Sequence, residues 1–448
     1  MKMKKINTKQ TILFFALLCT IFSFAQQKKW TLEACVSHAL ENNISVKQSQ
    51  NTLLSNYQDI IAAKGQYLPS VSASLGSGIN IGFGVDGNTG LAVNNNTRFS
   101  ANYGFSASQT VFNGFRRLNS YKQSLLTKET NELNLNRIKD DISLNVVNAY
   151  LNALFNKENL EINQAQYVFS KKQLEQVKSL VDAGVQPKAN IFDAEATLSR
   201  DAQQVTLSEN SFNLALLTLS QLLQVPFNGF DVEFIDVNTP SEALLYNNVK
   251  PILEYALENR NEIKIAEKNI ENAELNTALS KSGYLPNVSL SYGFGSSFGE
   301  SKIDVTKTPF FYELDRLKSH RFNLSVSIPI FSRFQNKTAV AKSKIQEQNS
   351  KLNLDQAKLD LESNIQRAYT DAQAAIKAYE AAKKTLESQT LAFNNSKERY
   401  DIGAMTAFDL EQARVQLINA EASLINAKYD FVFKTKVLDF YMGKSLTN

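Results

Sequence analysis

Much of this chain is written twice. QYLPSVSAS runs from Gln66 to Ser74 and GYLPNVSLS from Gly283 to Ser291. VFNGF (Val111 to Phe115) is answered by IFSRF (Ile330 to Phe334), and DAGVQPKANIFDAEA around Gly184 by DIGAMTAFDLEQA around Gly403. Phe331 lies 219 residues after Phe112, and Gly403 the same 219 after Gly184; Tyr284 lies 217 after Tyr67, a difference a loop absorbs. A period this long marks a duplicated half-chain, not a solenoid unit. The fold must therefore be assembled from two like halves. The first repeat covers 26–224 and the second 249–448. Residues 225–248, with Pro226, Gly229 and Pro240, read as a linker between them.

Each half alternates between two periods. Leu32 to about Ala63 and Ile252 to Leu279 are helical by composition, with breaks at Asn42, Asn43 and Asn261. After each Tyr-Leu-Pro the period drops to two. Val71, Ala73, Leu75, Ile79, Ile81 and Phe83 alternate with serine, glycine and asparagine, as do Phe99, Ala101, Tyr103, Phe105 and Val111. In the second half Val288, Leu290, Tyr292 and Phe294 form one such run; Phe322, Leu324, Val326, Ile328 and Ile330 form the other. Strict alternation predicts four strands, about 70–84, 98–112, 287–295 and 321–331. A proline lacks the N–H a ladder needs and suits a strand start, so Leu68, Pro69, Leu285 and Pro286 mark helix-to-strand boundaries.

The helical period then returns for a long stretch. Ile138, Ile142, Val146, Ala149 and Ala153 step by three, four or seven, as do Leu361, Ile365, Tyr369, Ala372, Ile376, Tyr379 and Leu386. No proline occurs between Asn113 and Val185 or after Ser332. Helices of about 70 residues would extend roughly 105 Å, and such lengths without caps suggest coiled-coil packing. Gly184 and Gly403 end them, supplying the left-handed residue of a helix C-terminus. Another helix follows each glycine. Each half thus carries a long helical hairpin, with its turn near 184 or 403.

Lys2, Lys4, Lys5 and Lys9 precede an apolar run from Thr11 to Phe24, and Ala25 is a cleavage point, so residues 1–25 read as a secretory signal peptide. That run is too short to span a bilayer, and no later stretch approaches 18 consecutive apolar residues. A transmembrane β-barrel stays open, because its signal per strand is weak. Cys19 falls in the leader. The mature chain keeps only Cys35, which excludes an intrachain disulfide. The 48 basic and 44 acidic residues leave a net charge of +4, which implies no nucleic-acid partner.

Small polar residues on one strand face and large apolar ones on the other suit a lipid-facing barrel. Alternation alone favours a soluble two-sheet domain with its apolar face buried. Export and the fourfold recurrence of the pattern favour the barrel. Four strands cannot close one, and an open edge in lipid leaves backbone groups unpaired. The chain must then oligomerise. Two copies give eight strands and an interior filled by side chains; three give twelve, with room for a water-filled lumen. The hairpins would leave the membrane as a helical tube. A non-conducting envelope protein with a coiled-coil stalk is the alternative from another class. A periplasmic adaptor, needing one hairpin and no lipid-facing strands, is a third.

The duplicated halves, the Tyr-Leu-Pro before each first strand, VFNGF and IFSRF at the strand-to-helix passage, and the two glycine turns together resemble the TolC-like outer-membrane efflux proteins. The resemblance spans nearly the whole mature chain. It implies an α+β membrane protein whose four strands contribute to a trimeric 12-stranded transmembrane β-barrel, with long antiparallel helical hairpins forming an α-barrel. It implies a passive exit duct of a tripartite efflux or type I secretion system, in the outer membrane of a Gram-negative bacterium with a long periplasmic portion, gated at the hairpin end. It also implies a homotrimer that meets a periplasmic adaptor and an inner-membrane pump or ABC transporter, in contact with outer-membrane lipid and without a cofactor.

By that resemblance Tyr400, three residues before Gly403, and Asp409, six after it, contribute to the closed gate. Asn190 stands where the first hairpin would carry an aspartate, and Gln412 takes a second acidic position. Met405 replaces a basic residue. Gly184, Gly403 and Met405 fall at the turns that dock the adaptor. On physical grounds Asp409 has two readings: threefold symmetry would set three carboxylates around one axis and attract cations, or the residue simply caps the next helix.

Several motifs invite chemistry and lack its context. GFGVDG (Gly82 to Gly87) matches a dinucleotide pattern that must open a helix, yet a loop and a strand follow it. Gly443-Lys444-Ser445 resembles the end of a phosphate loop, but Leu438 stands where the first glycine belongs. His38 and His320 have no metal-spaced partners, and no nucleophilic triad can be assembled.

Overall fold

A computed structural model describes residues 29–85, 89–234, 246–301, 307–444 and 446. The signal peptide expected at 1–25 lies outside the described residues, as does the middle of the expected linker. The chain divides into two compact units. One comprises Gln50–Asn134 and Lys264–Ala357; the other comprises Met1–Ser49, Leu135–Ile263 and Lys358–Asn448. Each unit takes material from both halves, so 225–248 does not separate the two units.

The repeat is preserved in the helices. α1 (Leu32–Asn42) and α2 (Ile44–Gly65) break at Asn43; α5 (Lys250–Asn259) and α6 (Asn261–Lys281) break at Arg260. The second break falls one residue before the expected Asn261. Both break residues turn extended, with ψ of 134° and 138°, which ends the i to i−4 ladder. α3 (Arg116–Asp182) and α8 (Gln335–Asp401) have 67 residues each. α4 (Ala189–Leu223) and α9 (Ala407–Tyr441) have 35 each.

The helical unit has an apolar core. Val146, Val147, Tyr150 and Leu154 of α3 are fully buried, with Leu219 and Leu223 of α4, Ile252 of α5 and Leu438 of α9. The Tyr150 hydroxyl donates to the Glu233 carbonyl at 2.6 Å, beside a parallel bridge between Trp30 and Val232. The Arg260 side chain is buried over the Phe440 ring at 4.0 Å, and its charge is met by Glu262 at 3.3 Å and Asp140 at 3.5 Å. Both break residues are thus packing elements: Asn43, also buried, donates to the Leu222 carbonyl.

The other unit holds one four-stranded antiparallel meander in the order β1-β2-β3-β4: β1 (Ser70–Val85), β2 (Ala92–Asn113), β3 (Asn287–Ser301) and β4 (Ser319–Ser327). The β2–β3 ladder joins the two halves. Its register sets Phe105 opposite Phe294 and Ser106 opposite Gly293; β1–β2 sets Leu75 opposite Tyr103; β3–β4 sets Leu290 opposite Leu324. One apolar face and one polar face therefore run across all four strands.

Three strand bounds differ from the sequence expectation. β4 stops at Ser327, not near 331, because Pro329 has no N–H to continue a ladder. β2 starts at Ala92, not near 98, and its asparagines are strand because β1 supplies partners as far as Val85, past a register shift between Gly82 and Gly84. β3 extends to Ser301, not 295, because β2 reaches Arg98 opposite it. A short helix, α7 (Phe310–Arg316), was not anticipated. It lies on the apolar face, with Phe310 4.8 Å from Phe298 and the Ser296 hydroxyl donating to the Leu314 carbonyl at 2.6 Å.

Candidate functional site

The two hairpin turns belong to the helical unit. Gly184 and Gly403 have φ of 75° and 77°, a region that side chains disfavour. Each closes its helix in the same way. The Val185 N–H donates to the Leu180 carbonyl and Gly184 to Val181; Ala404 donates to Arg399 and Gly403 to Tyr400. This pair of hydrogen bonds satisfies carbonyls in the last turn of α3 and of α8.

The restarts differ. α9 begins with a side-chain cap: the Thr406 hydroxyl accepts from the Asp409 N–H at 3.2 Å and donates to the Asp409 carboxylate at 2.6 Å. Thr406 is thus the cap and Asp409 the third helical residue, with its carboxylate still exposed. α4 has no side-chain cap. There Asn190 turns to Gln186, donating to its amide oxygen at 3.2 Å.

Gln186 is the residue the sequence did not single out. Its amide nitrogen donates to the Tyr400 hydroxyl at 3.4 Å, across from one hairpin to the other. Tyr400, Gln186 and Asn190 therefore form one chain of hydrogen bonds. Tyr400 and Asn190 also line a cavity of about 310 Å³ with Phe408 and Arg200. Gln412 and Asp409 face another open space with Met405. Position alone could have flagged Gln186, two residues after the first glycine; its partner could not be read from sequence.

A charged cluster lies one turn behind. Arg414 is almost wholly buried. It meets Asp201 of α4 at 2.9 Å and Glu411 of its own helix at 2.8 Å, and the Ser170 hydroxyl of α3 donates to Asp201 at 2.7 Å. Burial works against the Arg414 charge; the hydrogen bonds it donates to both carboxylates outweigh it and hold the guanidinium above its usual value. The cluster ties α9 to both helices of the first hairpin. Removing one partner from such a group typically costs about 3–5 kcal/mol, whereas the neutral bond between Gln186 and Tyr400 contributes about 1 kcal/mol.

In the other unit, Leu68-Pro69 lies between the end of α2 and β1, and Leu285-Pro286 between a 3-10 turn (Ser282–Tyr284) and β3. The strand-to-helix turns repeat as well. Phe112 packs edge-on against Phe115 at 5.3 Å, and Phe331 against Phe334 at 5.8 Å. Phe115, Phe331 and Phe334 remain exposed. So do Leu75 at 91% and Phe322 at 77% on the apolar face. Exposed aromatic and aliphatic surface of this extent in a sheet fits a lipid boundary. Opposite it, serines pair across the strands, as in Ser72 with Ser106 at 2.8 Å.

Among the described residues no helix is long and apolar enough to cross a membrane, and no group of three His, Cys, Asp or Glu is placed for a metal. Gly82 to Val85 lie in β1 and do not open a helix; Asp86 and Gly87 of that motif lie outside the described residues. Gly443 closes α9 at φ 67°. His38 packs edge-on against Trp30 at 5.1 Å, and His320 accepts from or donates to the Tyr292 hydroxyl at 2.9 Å.

Comparison with known proteins gives a consistent result. A model of the family described as "Outer membrane efflux protein" matches residues 35–224 and 252–444, one segment per repeat. The chain is 22% identical over 300 residues to the outer membrane protein TolC of Vibrio cholerae, covering 67% of each. It is 19% identical over 338 residues to the alkaline protease secretion protein AprF of Pseudomonas aeruginosa, covering 75% of this chain and 68% of that one. The fold matches the crystal structure of the Campylobacter jejuni CmeC outer membrane channel with a TM-score of 0.75, at 18% identity, over 92% of this chain and 85% of that one.

Proposed function

The chain belongs to the outer membrane efflux protein family, and from that premise we propose that three copies close a twelve-stranded barrel, each giving one four-stranded sheet. As a member of that family it is an outer-membrane exit duct for efflux or secretion, with a long periplasmic helical part. The observation that carries the trimer is the sheet itself: β1 and β4 have free edges, and the apolar face is exposed. Free edges are not tolerated in lipid. A copy of β1 against a neighbour's β4 removes both. Three copies leave a lumen lined by serine, glycine and asparagine. Phe115, Phe331 and Phe334 mark the membrane boundary, as aromatic girdles do.

The duct is passive, and its energy comes from an inner-membrane pump or ABC transporter reached through a periplasmic adaptor that docks at Gly184, Gly403 and Met405. The hairpin ends form the gate. The single bond between Gln186 and Tyr400 is weak enough for a partner to separate, while the buried Arg414 cluster keeps α9 with the first hairpin during that change. Purified full chain in planar bilayers tests the reading. Discrete conductance steps from a species of trimer mass by light scattering are expected. A trimer that stays silent with every tip variant overturns the duct in favour of a non-conducting envelope stalk.

A further inference from the structure

We propose that the polar face of the sheet is an anion-favouring lining, set by Arg98 and Arg321, and that the cargo it favours carries negative charge. The inference rests on the duct reading above, in which this face lines the lumen. The register places both arginines on that face: Arg98 opposite Asn80 of β1 and Ser301 of β3, and Arg321 opposite Gly293. Both are exposed. Guanidinium stays charged at any physiological pH.

What surrounds them decides the sign. Apart from Val93, which pairs with Gly84, every other described residue on the polar face is serine, threonine, asparagine or glycine, and among the described residues no carboxylate shares it. The nearest acid in the ladder, Glu300, points to the opposite face, where Lys307 meets it at 3.2 Å. The described arginines that pair with carboxylates are Arg137, Arg200, Arg260, Arg316 and Arg414; Arg98 and Arg321 are not among them. Among the described residues the face is otherwise neutral and crowded with residues small enough to leave it open, and it carries two positive charges per copy with no carboxylate paired to them.

Three copies would carry six. In the β3 register the two levels, Ser301 and Gly293, stand eight residues apart, about 27 Å along the strand. That exceeds the screening length of about 8 Å at physiological salt. An ion would therefore meet two separate positive rings within a low-dielectric wall, an arrangement that selects anions.

Cysteine labelling in reconstituted full-length trimers tests this locally, independent of the hairpin gate. Ser100→Cys and Asn323→Cys each sit two residues from an arginine on the same face, about 7 Å away. The native Cys35 is buried, its thiol pushed up to about 12 by desolvation, and stays silent. Each thiol is treated with an anionic and a cationic methanethiosulfonate at low salt. The anionic reagent should gain about threefold and the cationic one lose about threefold relative to free cysteine, from one charge at 7 Å in water. Arg98→Ser or Arg321→Asn should return the ratio to that of free cysteine, and Arg321→Lys should keep it. A ratio unchanged by removing the arginines overturns the proposal. Without the arginine variants, the anionic preference should fade as salt rises from 0.01 to 1 M; a salt-independent ratio also overturns it. Thiols that neither reagent reaches would instead overturn the water-lined duct itself.

Discussion

Glu421 lies partly buried on α9, where loss of water raises its carboxyl above the usual carboxylate value and a hydrogen bond with Gln166 only partly offsets this. A carboxyl whose folded value is raised gives stability that is full below its unfolded value and lost as pH rises through the folded one. Glu421→Gln should therefore raise the thermal midpoint at pH 7 by about 1–2 °C and leave it unchanged at pH 4. Calorimetry at both pH values reads the difference. The Tyr400 hydroxyl makes a prediction about gating. Tyr400→Phe removes the only described bond from that hydroxyl to Gln186 and should raise open probability in bilayers. Gln186→Ala should do the same, and the double variant no more than either, since both delete one interaction. Tyr400 and Asn190 were legible as turn-flanking residues. Gln186 could have been flagged by the same position; its bond to Tyr400 could not, because a partner in space leaves no mark in spacing.

At the scale of the elements, the strand-to-helix turns show what duplication preserves and what it varies. Gly114 has φ of 65°, and an added Cβ would stand 2.7 Å from the Ser282 carbonyl oxygen and 2.8 Å from the Leu285 Cβ. Those two neighbours belong to the second half's Tyr-Leu-Pro approach. Gly90 has φ of 69° with nothing within 4 Å. Gly114→Ala should cost more than the roughly 1 kcal/mol of left-handed strain that Gly90→Ala costs, and should lower the denaturation midpoint further. Equal losses would mean the backbone at Ser282 yields freely. The equivalent turn of the second half holds Arg333 and Phe334 at φ of 50° and 64°, so the conformation outlived the glycine. Alternation of period two made the four strands legible. Their ends were less so: Pro329 was a readable stop for β4, but β2 reaches Ala92 only because β1 continues opposite it. α7 has seven residues, too few for a periodic signal, and its place on Phe298 depends on the folded sheet.

For the whole molecule, charge placement matters more than net charge. The +4 of the chain says little, yet Asp409 and the two arginines of the sheet give opposite signs to different parts of the proposed duct. Asp409→Asn keeps a partner for the Thr406 hydroxyl while removing the charge. It should lower cation preference in planar bilayers if three such carboxylates ring the axis. An unchanged reversal potential would leave Asp409 only its contact with the Thr406 cap. The sequence by itself determined the duplication, the four alternating strands, the paired long helices and the glycine turns, because each is a local pattern of period or backbone freedom. Tertiary structure alone decided that each compact unit draws on both halves, that β2 pairs with β3 to put both arginines on one face, and that Arg414 is buried between Asp201 and Glu411. Register and burial depend on what lies across the gap, and that is fixed only when distant segments of the chain meet.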